Sequence, residues 1–219
     1  MIKLKLQQFA APGSLSALRE ETFDNLQLNC GLFIKNLVYE GTGAPEDADD
    51  LATLLEGIIG GTVSNKGDLL GATNGGGNFT VSREMRLAQV DGLRYRFKGG
   101  TFVDSADPAL TTTLVECTPE NFAIGFGGTV TTSGKITKVK MPTALTDESY
   151  LTNLCWCGEL ADGRMVLIVL YNALNTSDFT FTFKDKGEGN YNVEFHGCQD
   201  NVLDYDEAPF EVIFFDKAA

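Results

Sequence analysis

The stretch LCWCGELADGRMVLIVL, residues 154–170, decides the fold class of this chain. Two apolar runs, residues 154–160 and 165–170, flank Asp162-Gly163, and such a dipeptide is a frequent two-residue turn between antiparallel strands. The arrangement predicts a β-hairpin, and its signal is stronger than that of any other segment of the chain.

Short apolar stretches with alternating side chains recur on both sides of this hairpin. Gly, Thr, Asn and Asp separate them, which is typical of many short strands joined by tight turns. We predict strands at residues 26–39, 79–89, 110–116, 179–183, 191–195 and 210–215, and a return strand at 93–98 after the turn Asp91-Gly92. The predicted fold class is therefore mainly β, with an antiparallel sandwich-like or barrel-like domain.

Residues 40–77 interrupt the strands. Pro45 and the acids after it mark a helix start, Gly60-Gly61 marks the end, and helical spacing relates Leu51, Leu54, Leu55, Ile58 and Ile59. Residues 62–77 have no such pattern and are predicted to be a loop. We expect one flanking α-helix within a long loop excursion, and a second, short helix capped at Thr118-Pro119.

Length and composition favour a single domain over residues 1–219. The chain has 219 residues, of which 43% are apolar, enough for one sizeable core. Residues 1–25 are expected to form an N-terminal arm, with a weak helix signal at 14–24. No apolar run reaches membrane-spanning length and the start lacks a signal-peptide pattern, so we expect a soluble, intracellular chain that binds no membrane.

The charge is strongly acidic. Thirty Asp and Glu against 17 Lys and Arg give a net charge of -13, which argues against any function that depends on neutralising nucleic-acid phosphates. The five cysteines are an odd number, so we expect free and mostly buried thiols in a reducing compartment.

No residue pattern predicts catalysis, a cofactor or a metal ion. His196 is the single histidine, and we interpret it as a half-buried strand residue rather than a catalytic base. Cys155-Trp156-Cys157 with His196-Gly197-Cys198 suggests zinc, but residues two apart in a strand are separated by about 6.5 Å and cannot converge on one ion. The glycine-rich residues 71–77 lack a phosphate-binding ending, so they predict close packing or entry to a strand. We therefore predict a protein that is not an enzyme.

Several segments, in order, resemble the major tail tube proteins of tailed phages and prophages. The resemblance begins with Gly71-Ala72-Thr73-Asn74-Gly75-Gly76 before Phe79-Thr80-Val81, and continues with Val90-Asp91-Gly92 and with residues 112–116 leading into Thr118-Pro119. It ends with the turn at 183–189, with Val193-Glu194-Phe195-His196 and with residues 209–212. It covers residues 26–215 and favours the long-tailed, non-contractile type.

This resemblance implies a structural protein of the virion tail, made in the cytoplasm of the bacterial host. Such subunits form hexameric rings whose strands join in an inner barrel, and the rings stack into a tube through which double-stranded DNA passes without specific binding. The implied partners are other copies of the chain, the tape measure protein and the tail terminator protein. The excursion at 40–77 would make subunit contacts, and deletion of residues 43–66 is expected to spare folding but to abolish tube growth.

Two features of the strands bear on assembly. Residues 165–177 contain no charge, so we expect their edge to pair with another chain. A tube wall facing DNA should be acidic, and the candidate wall positions are Ser82, Glu84, Arg86, Thr111 and Thr113. The charge of Arg86 would be offset by Glu84 and Glu116.

The alternative function is a monomeric carbohydrate-binding β-sandwich module. Such a module needs an exposed aromatic platform, whereas the one Trp and most of the six Tyr lie within alternating strands. Size in solution separates the two hypotheses, because a tube subunit forms rings or filaments.

Overall fold

The hairpin predicted at 154–170 forms the centre of the fold. The structure is a computed structural model and describes residues 22–27, 29, 31–63, 65–92, 94–200 and 207–218. The predicted N-terminal arm and the helix signal at 14–24 lie almost wholly outside the described residues, as do Leu28, Cys30 and Leu93 of the predicted strands.

Eleven strands and two α-helices make up the described chain. The strands are β1 (Leu32–Lys35), β2 (Asp68–Leu69), β3 (Thr73–Leu87), β4 (Thr101–Leu114), β5 (Thr129–Ser133), β6 (Ile136–Lys140), β7 (Leu151–Glu159), β8 (Met165–Asn175), β9 (Phe181–Thr182), β10 (Asn190–His196) and β11 (Phe210–Phe215). The helices are α1 (Ala48–Ile59) and α2 (Pro119–Gly125), and a 3-10 turn covers Asp147–Ser149. The prediction of a mainly β, antiparallel, sandwich-like fold is confirmed.

Nine strands form one antiparallel sheet in the order β2-β1-β7-β8-β10-β4-β3, with β11 added to β8 and β9 to β10. The long strand β8 joins two parts of this sheet. Its first half, from Met165 to Leu170, pairs with β11, and its last residues, Leu174 and Asn175, pair with β10. We call β1, β2, β7, β8 and β11 the first half-sheet, and β3, β4, β9 and β10 the second half-sheet.

The two half-sheets pack against each other. Phe33, Leu154 and Leu170 of the first lie in one buried cluster with side chains of the second, which are Leu110, Leu114, Tyr191, Val193 and Phe195. Helix α1 covers the opposite face of the first half-sheet, where its buried residues pack on Cys155, Cys157, Leu167 and Val169. Strands β7 and β8 are therefore buried on both faces, which explains their continuous apolar sequence.

The local signals for both helices are confirmed. Asp47 caps α1, with its carboxylate accepting a hydrogen bond from the Asp50 amide at 2.9 Å, and Gly60 follows the last turn. The Thr118 hydroxyl caps α2 by accepting from the Asn121 amide, with Pro119 in the first turn.

The structure corrects the predicted ends of β3 and β4. Residues 94–98 are not a strand; the chain returns only at Thr101, which pairs with Leu87, so that residues 88–100 form the connection. Residues 62–77 are not all loop, because β2 lies within them and β3 already begins at Thr73. A register shift between Thr73 and Gly77 lets the strand continue through Gly75 and Gly76, whose positive φ angles favour glycine.

Other predicted strands are shorter than expected. Strand β1 covers only Leu32–Lys35 because Gly31 and Asn36, at its two ends, have positive φ angles. The aromatic stretch at 179–183 contributes only Phe181–Thr182 to strand pairing. The rings of Phe179 and Phe181 pack on Phe122. The hairpin of β5 and β6 was not predicted.

The expectation of a free edge at residues 165–177 is wrong. Strand β8 pairs with β7 along one side and with β11 and β10 along the other, so its edges are used within the chain. The absence of charge in this segment reflects burial in the core.

The excursion at 40–77 is likewise part of the core. Leu51, Leu55 and Ile58 of α1 are buried against the first half-sheet. Removal of residues 43–66 would therefore expose the apolar face of that half-sheet to water. The expectation that this deletion spares folding is therefore wrong.

We predict that Leu51→Ala lowers the free energy of unfolding by roughly 2–4 kcal/mol, because it leaves a cavity at a fully buried position. The matched control is Glu56→Ala on the exposed side of the same helix, with an expected change within about 0.5 kcal/mol. Urea unfolding followed by circular dichroism measures both variants. Equal stabilities of the two variants would contradict the packing of α1 on the sheet.

Candidate functional site

One face of the second half-sheet is covered by no other strand or helix of the part of the chain that the structure describes. Phe195 pairs with Leu110, and Leu110 with Phe79, and these three side chains point into the core. Neighbouring residues along each strand point the opposite way because side chains alternate. This outer polar face contains Asn78, Thr80, Ser82, Glu84, Arg86, Ser105, Asp107, Ala109, Thr111, Thr113, Asn192, Glu194 and His196, and it also includes the aromatic Phe102, which pairs with Arg86.

The structure brings all five candidate wall residues to this face. Ser82, Glu84 and Arg86 follow one another on β3, and Thr111 and Thr113 lie on β4. The Thr113 hydroxyl donates a hydrogen bond of 2.8 Å to the Asn192 side chain of β10, which places these two residues on the same side of the sheet.

The prediction that Glu84 and Glu116 offset the charge of Arg86 is wrong. Its Nε donates to Asp104 Oδ1 at 2.8 Å, and its guanidinium lies 4.9 Å from the centre of the Phe102 ring. A register shift after Glu84 leaves Asp104 as an extra residue in β4, which brings that carboxylate beside Arg86. Glu116 lies at the other end of β4, where its carboxylate accepts a hydrogen bond from the Ala72 amide.

The outer polar face is acidic. It presents Glu84, Asp107 and Glu194, and the only strong base on it, Arg86, is paired with Asp104. His196 lies between two of these acids, with Nδ1 2.6 Å from Asp107 Oδ1 and Nε2 3.6 Å from Glu194 Oε1. The prediction of a half-buried strand histidine is confirmed, and its ring links β10 to β4.

Strands β3 and β4 continue beyond the sandwich as a projecting arm, defined here as residues 83–107. Nearly all described side chains of this arm are exposed on both faces, since neither the first half-sheet nor a helix of the described residues covers it. Met85 is 60% exposed and its strand partner Val103 is 56% exposed, and further exposed apolar residues of the arm are Leu87, Val90, Tyr95, Phe97 and Phe102. Apolar patches of this kind are typical of protein interfaces.

Strand β3 also ends the sheet. Within the described residues it pairs with β4 alone, so its second edge offers unpaired backbone groups to another chain. A long free edge thus lies at β3, whereas the uncharged β8 offers none.

A polar cleft of about 480 Å³ opens at the glycine-rich end of β3. The Thr112 hydroxyl donates to the Gly76 carbonyl at 2.8 Å on its wall, and Asn74, Asp178, Asn192 and Glu194 line it further. No aromatic side chain is among the residues that line this cleft, so it offers no stacking surface for a sugar ring. Gly77 lies against the Thr111 carbonyl and the Phe33 ring, which confirms close packing at this glycine.

The cysteines and His196 do not come together. Cys155 and Cys157 face α1 within the core, whereas His196 lies on the outer polar face of the other half-sheet. Burial raises the pKa of the Cys157 thiol to about 12 and also raises the pKa of the Cys155 thiol. No group of three or more metal-ligating side chains occurs in the part of the chain that the structure describes.

Sequence reasoning missed the β5–β6 hairpin and its charge. Residues 129–140 contain Lys135, Lys138 and Lys140 but no acid, in a chain with a net charge of -13. The signal that could have found it is the alternating sequence on both sides of Gly134, which takes a positive φ angle in the turn.

Comparison with known proteins finds no family model and no curated protein that matches the chain. Among the described residues, neither helix has the length and apolar character needed to cross a bilayer.

We predict that the rate at which each thiol reacts with an aromatic disulfide reagent at pH 8 depends on its burial. Cys117 is exposed and should react within seconds to minutes, whereas Cys155 and Cys157 should react only on unfolding. The pKa of the Cys157 thiol is about 12 in the folded chain and about 8.5 in the unfolded chain, so between about pH 9 and 12 only the unfolded chain loses this proton. The free energy of unfolding should therefore fall as the pH rises through this range. Peptide mapping identifies the labelled residues, and Cys117→Ser should remove the fast phase. Labelling of Cys157 as fast as Cys117 would contradict the burial of this strand.

Proposed function

We propose that this chain is a structural subunit of the major tail tube type, which assembles as hexameric rings stacked into the tail tube of a phage virion. In this function the tube is a passive conduit for double-stranded DNA. The partners are other copies of the chain, with the tape measure and tail terminator proteins at the tube's interior and end. The support comes from the segments that resemble this family and from the surfaces of the second half-sheet.

The observation that carries the proposal is the projecting arm. An exposed apolar arm is unfavourable for a free monomer, because Met85 and Val103 would remain in contact with water. Contact with a second copy would bury these side chains, and the free edge of β3 beside them would complete its backbone hydrogen bonds by pairing. A contact between two different surfaces of identical subunits generates closed rings or open filaments.

The outer polar face supports the proposed role as conduit. In this proposal it forms the wall of the tube, with Ser82, Thr111 and Thr113 between the carboxylates. Acidic side chains repel the phosphates of DNA, and hydroxyl groups provide no net charge that would hold them. The pairing of Arg86 with Asp104 reduces the attraction of its cation for phosphate.

The alternative of a monomeric carbohydrate-binding module has less support. The polar cleft has no aromatic lining, and the most exposed aromatic side chains, Tyr95 and Phe183, lie in separate loops. A monomer that binds a glycan would establish this alternative.

We predict that the purified protein forms rings or tubes at high concentration, and that Met85→Gln with Val103→Thr raises the concentration needed for assembly about tenfold or more. The substitutions keep the approximate side-chain size but make the contact polar. The matched control is Met85→Leu with Val103→Ile, which keeps the arm apolar and should assemble as the unaltered chain does. Light scattering and negative-stain microscopy measure assembly. Strict monomers of the unaltered chain at the highest soluble concentration would contradict the proposed function.

We predict that assembled tubes bind duplex DNA no more tightly than roughly 10⁻⁴ M, even at low salt. Glu84→Lys with Glu194→Lys should create measurable binding, because both positions lie on the proposed wall. Fluorescence anisotropy of a labelled duplex measures the affinity. Micromolar binding by the unaltered tubes, weakening steeply with salt, would contradict the conduit.

A further inference from the structure

The β5–β6 hairpin is a basic surface on an acidic protein. Residues 129–140 carry three positive charges, which leaves a net charge of -16 for the remainder of the chain. Lys138 and Lys140 occupy the same face of β6 as Ile136, which is 61% exposed. None of the three lysines forms an ion pair with an acid of the described residues.

The other face of this hairpin holds it in place. Val139 is the half-buried residue of β6, and α2 lies against both strands. The hairpin is therefore fixed to the body by one face, while the face with Ile136, Lys138 and Lys140 remains free. This arrangement presents a row of one apolar and two basic side chains to the surroundings.

Helix α1 carries the opposite pattern. Its exposed side includes Asp49 and Glu56, and Ile59 beside them is 55% exposed. The helix has no basic residue, and no base in the described residues pairs with these two acids. Asp49, Glu56 and Ile59 lie along one side of α1 because they are spaced by seven and three residues.

The two rows match in spacing as well as in charge. Along β6, Lys138 lies about 6.6 Å and Lys140 about 13 Å from Ile136 at 3.3 Å per residue. Along α1, Glu56 lies about 4.5 Å and Asp49 about 15 Å from Ile59 at 1.5 Å per residue. The differences of about 2 Å are within the reach of a lysine side chain.

We propose that the β5–β6 hairpin of one copy docks along α1 of a second copy, with Ile136 against Ile59, Lys138 near Glu56 and Lys140 near Asp49. This inference rests on the proposed self-assembly and identifies one of its contacts. The binding partner of the hairpin is a second copy of the chain, because every copy presents the acidic residues Asp49 and Glu56 on α1. DNA is a less suitable occupant, since the -16 of the remaining chain repels it. The contact joins different surfaces, as a ring or filament requires.

A charge-swap experiment tests the contact. Lys138→Glu with Lys140→Glu, and separately Asp49→Lys with Glu56→Lys, should each weaken self-association about tenfold or more, because two attractions become repulsions. An equal mixture of the two variants should assemble as well as the unaltered chain, since each hairpin then finds a helix of opposite charge. Sedimentation velocity at low and high salt measures association, and thermal unfolding verifies that each variant is folded.

The control for the hairpin variant is Lys184→Glu with Lys186→Glu, which changes the net charge by the same amount in an exposed turn outside the hairpin. It should change self-association less than twofold. If the unaltered chain assembles and the hairpin variant assembles equally well, the docking is overturned while the proposed function stands. The same conclusion follows if the equal mixture of the two variants does not regain the self-association of the unaltered chain. If the unaltered chain remains monomeric, both fail. If the hairpin variant instead loses an affinity for labelled duplex DNA that the unaltered chain has, the hairpin binds phosphate and the docking is overturned.

Discussion

The pairing of β8 with strands on both sides is the constraint on which the rest of the fold depends. Its first part completes the first half-sheet with β7 and β11, and its last residues begin the second half-sheet with β10. The chain changes direction between these parts at Asn172, which has a positive φ of 45° and whose side-chain amide donates to the Cys198 carbonyl. Because successive residues of β8 face α1 and the sandwich interior in turn, this one strand contributes to both buried clusters.

The unequal lengths of the strands follow from this arrangement and determine which surfaces stay uncovered. Strands β3 and β4 have 15 and 14 residues, whereas their neighbour β10 has only 7. Their far ends therefore extend past the part of the sheet that the first half-sheet can cover. A side chain such as Met85 continues the inward face of β3 but remains largely exposed, because no strand of the first half-sheet covers it among the described residues. The arm thus remains exposed because of the topology and not because its sequence is polar.

The parts of the fold that the sequence predicts are those fixed by neighbouring residues. The turn at Asp162-Gly163, the helix start after Pro45 and the cap at Thr118 depend on local geometry, and all three are confirmed. Alternation also placed the five candidate wall residues on the same face. The predictions that failed depend on distant contacts: β8 is uncharged because both of its faces are buried, and Arg86 reaches Asp104 because of a bulge in the opposite strand. The prediction of a loop at Gly75, Gly76 and Gly77 is wrong, because a β-bulge and a loop use the same residues.

In the proposed assembly, net charge and self-association would impose opposite demands on this chain. Copies that each carry -13 repel one another on average, and the repulsion grows as more copies approach. An even spread of the basic residues would reduce this repulsion everywhere but would favour no particular orientation. Three lysines in one hairpin with no acid beside them instead give a local attraction to any acidic surface that matches their spacing. In the proposed tube, like charges would meet in every other orientation, so the acidic surface proposed to repel DNA would also disfavour incorrect contacts between copies. The acidity of the outer polar face and the basicity of the hairpin are then two consequences of one charge distribution.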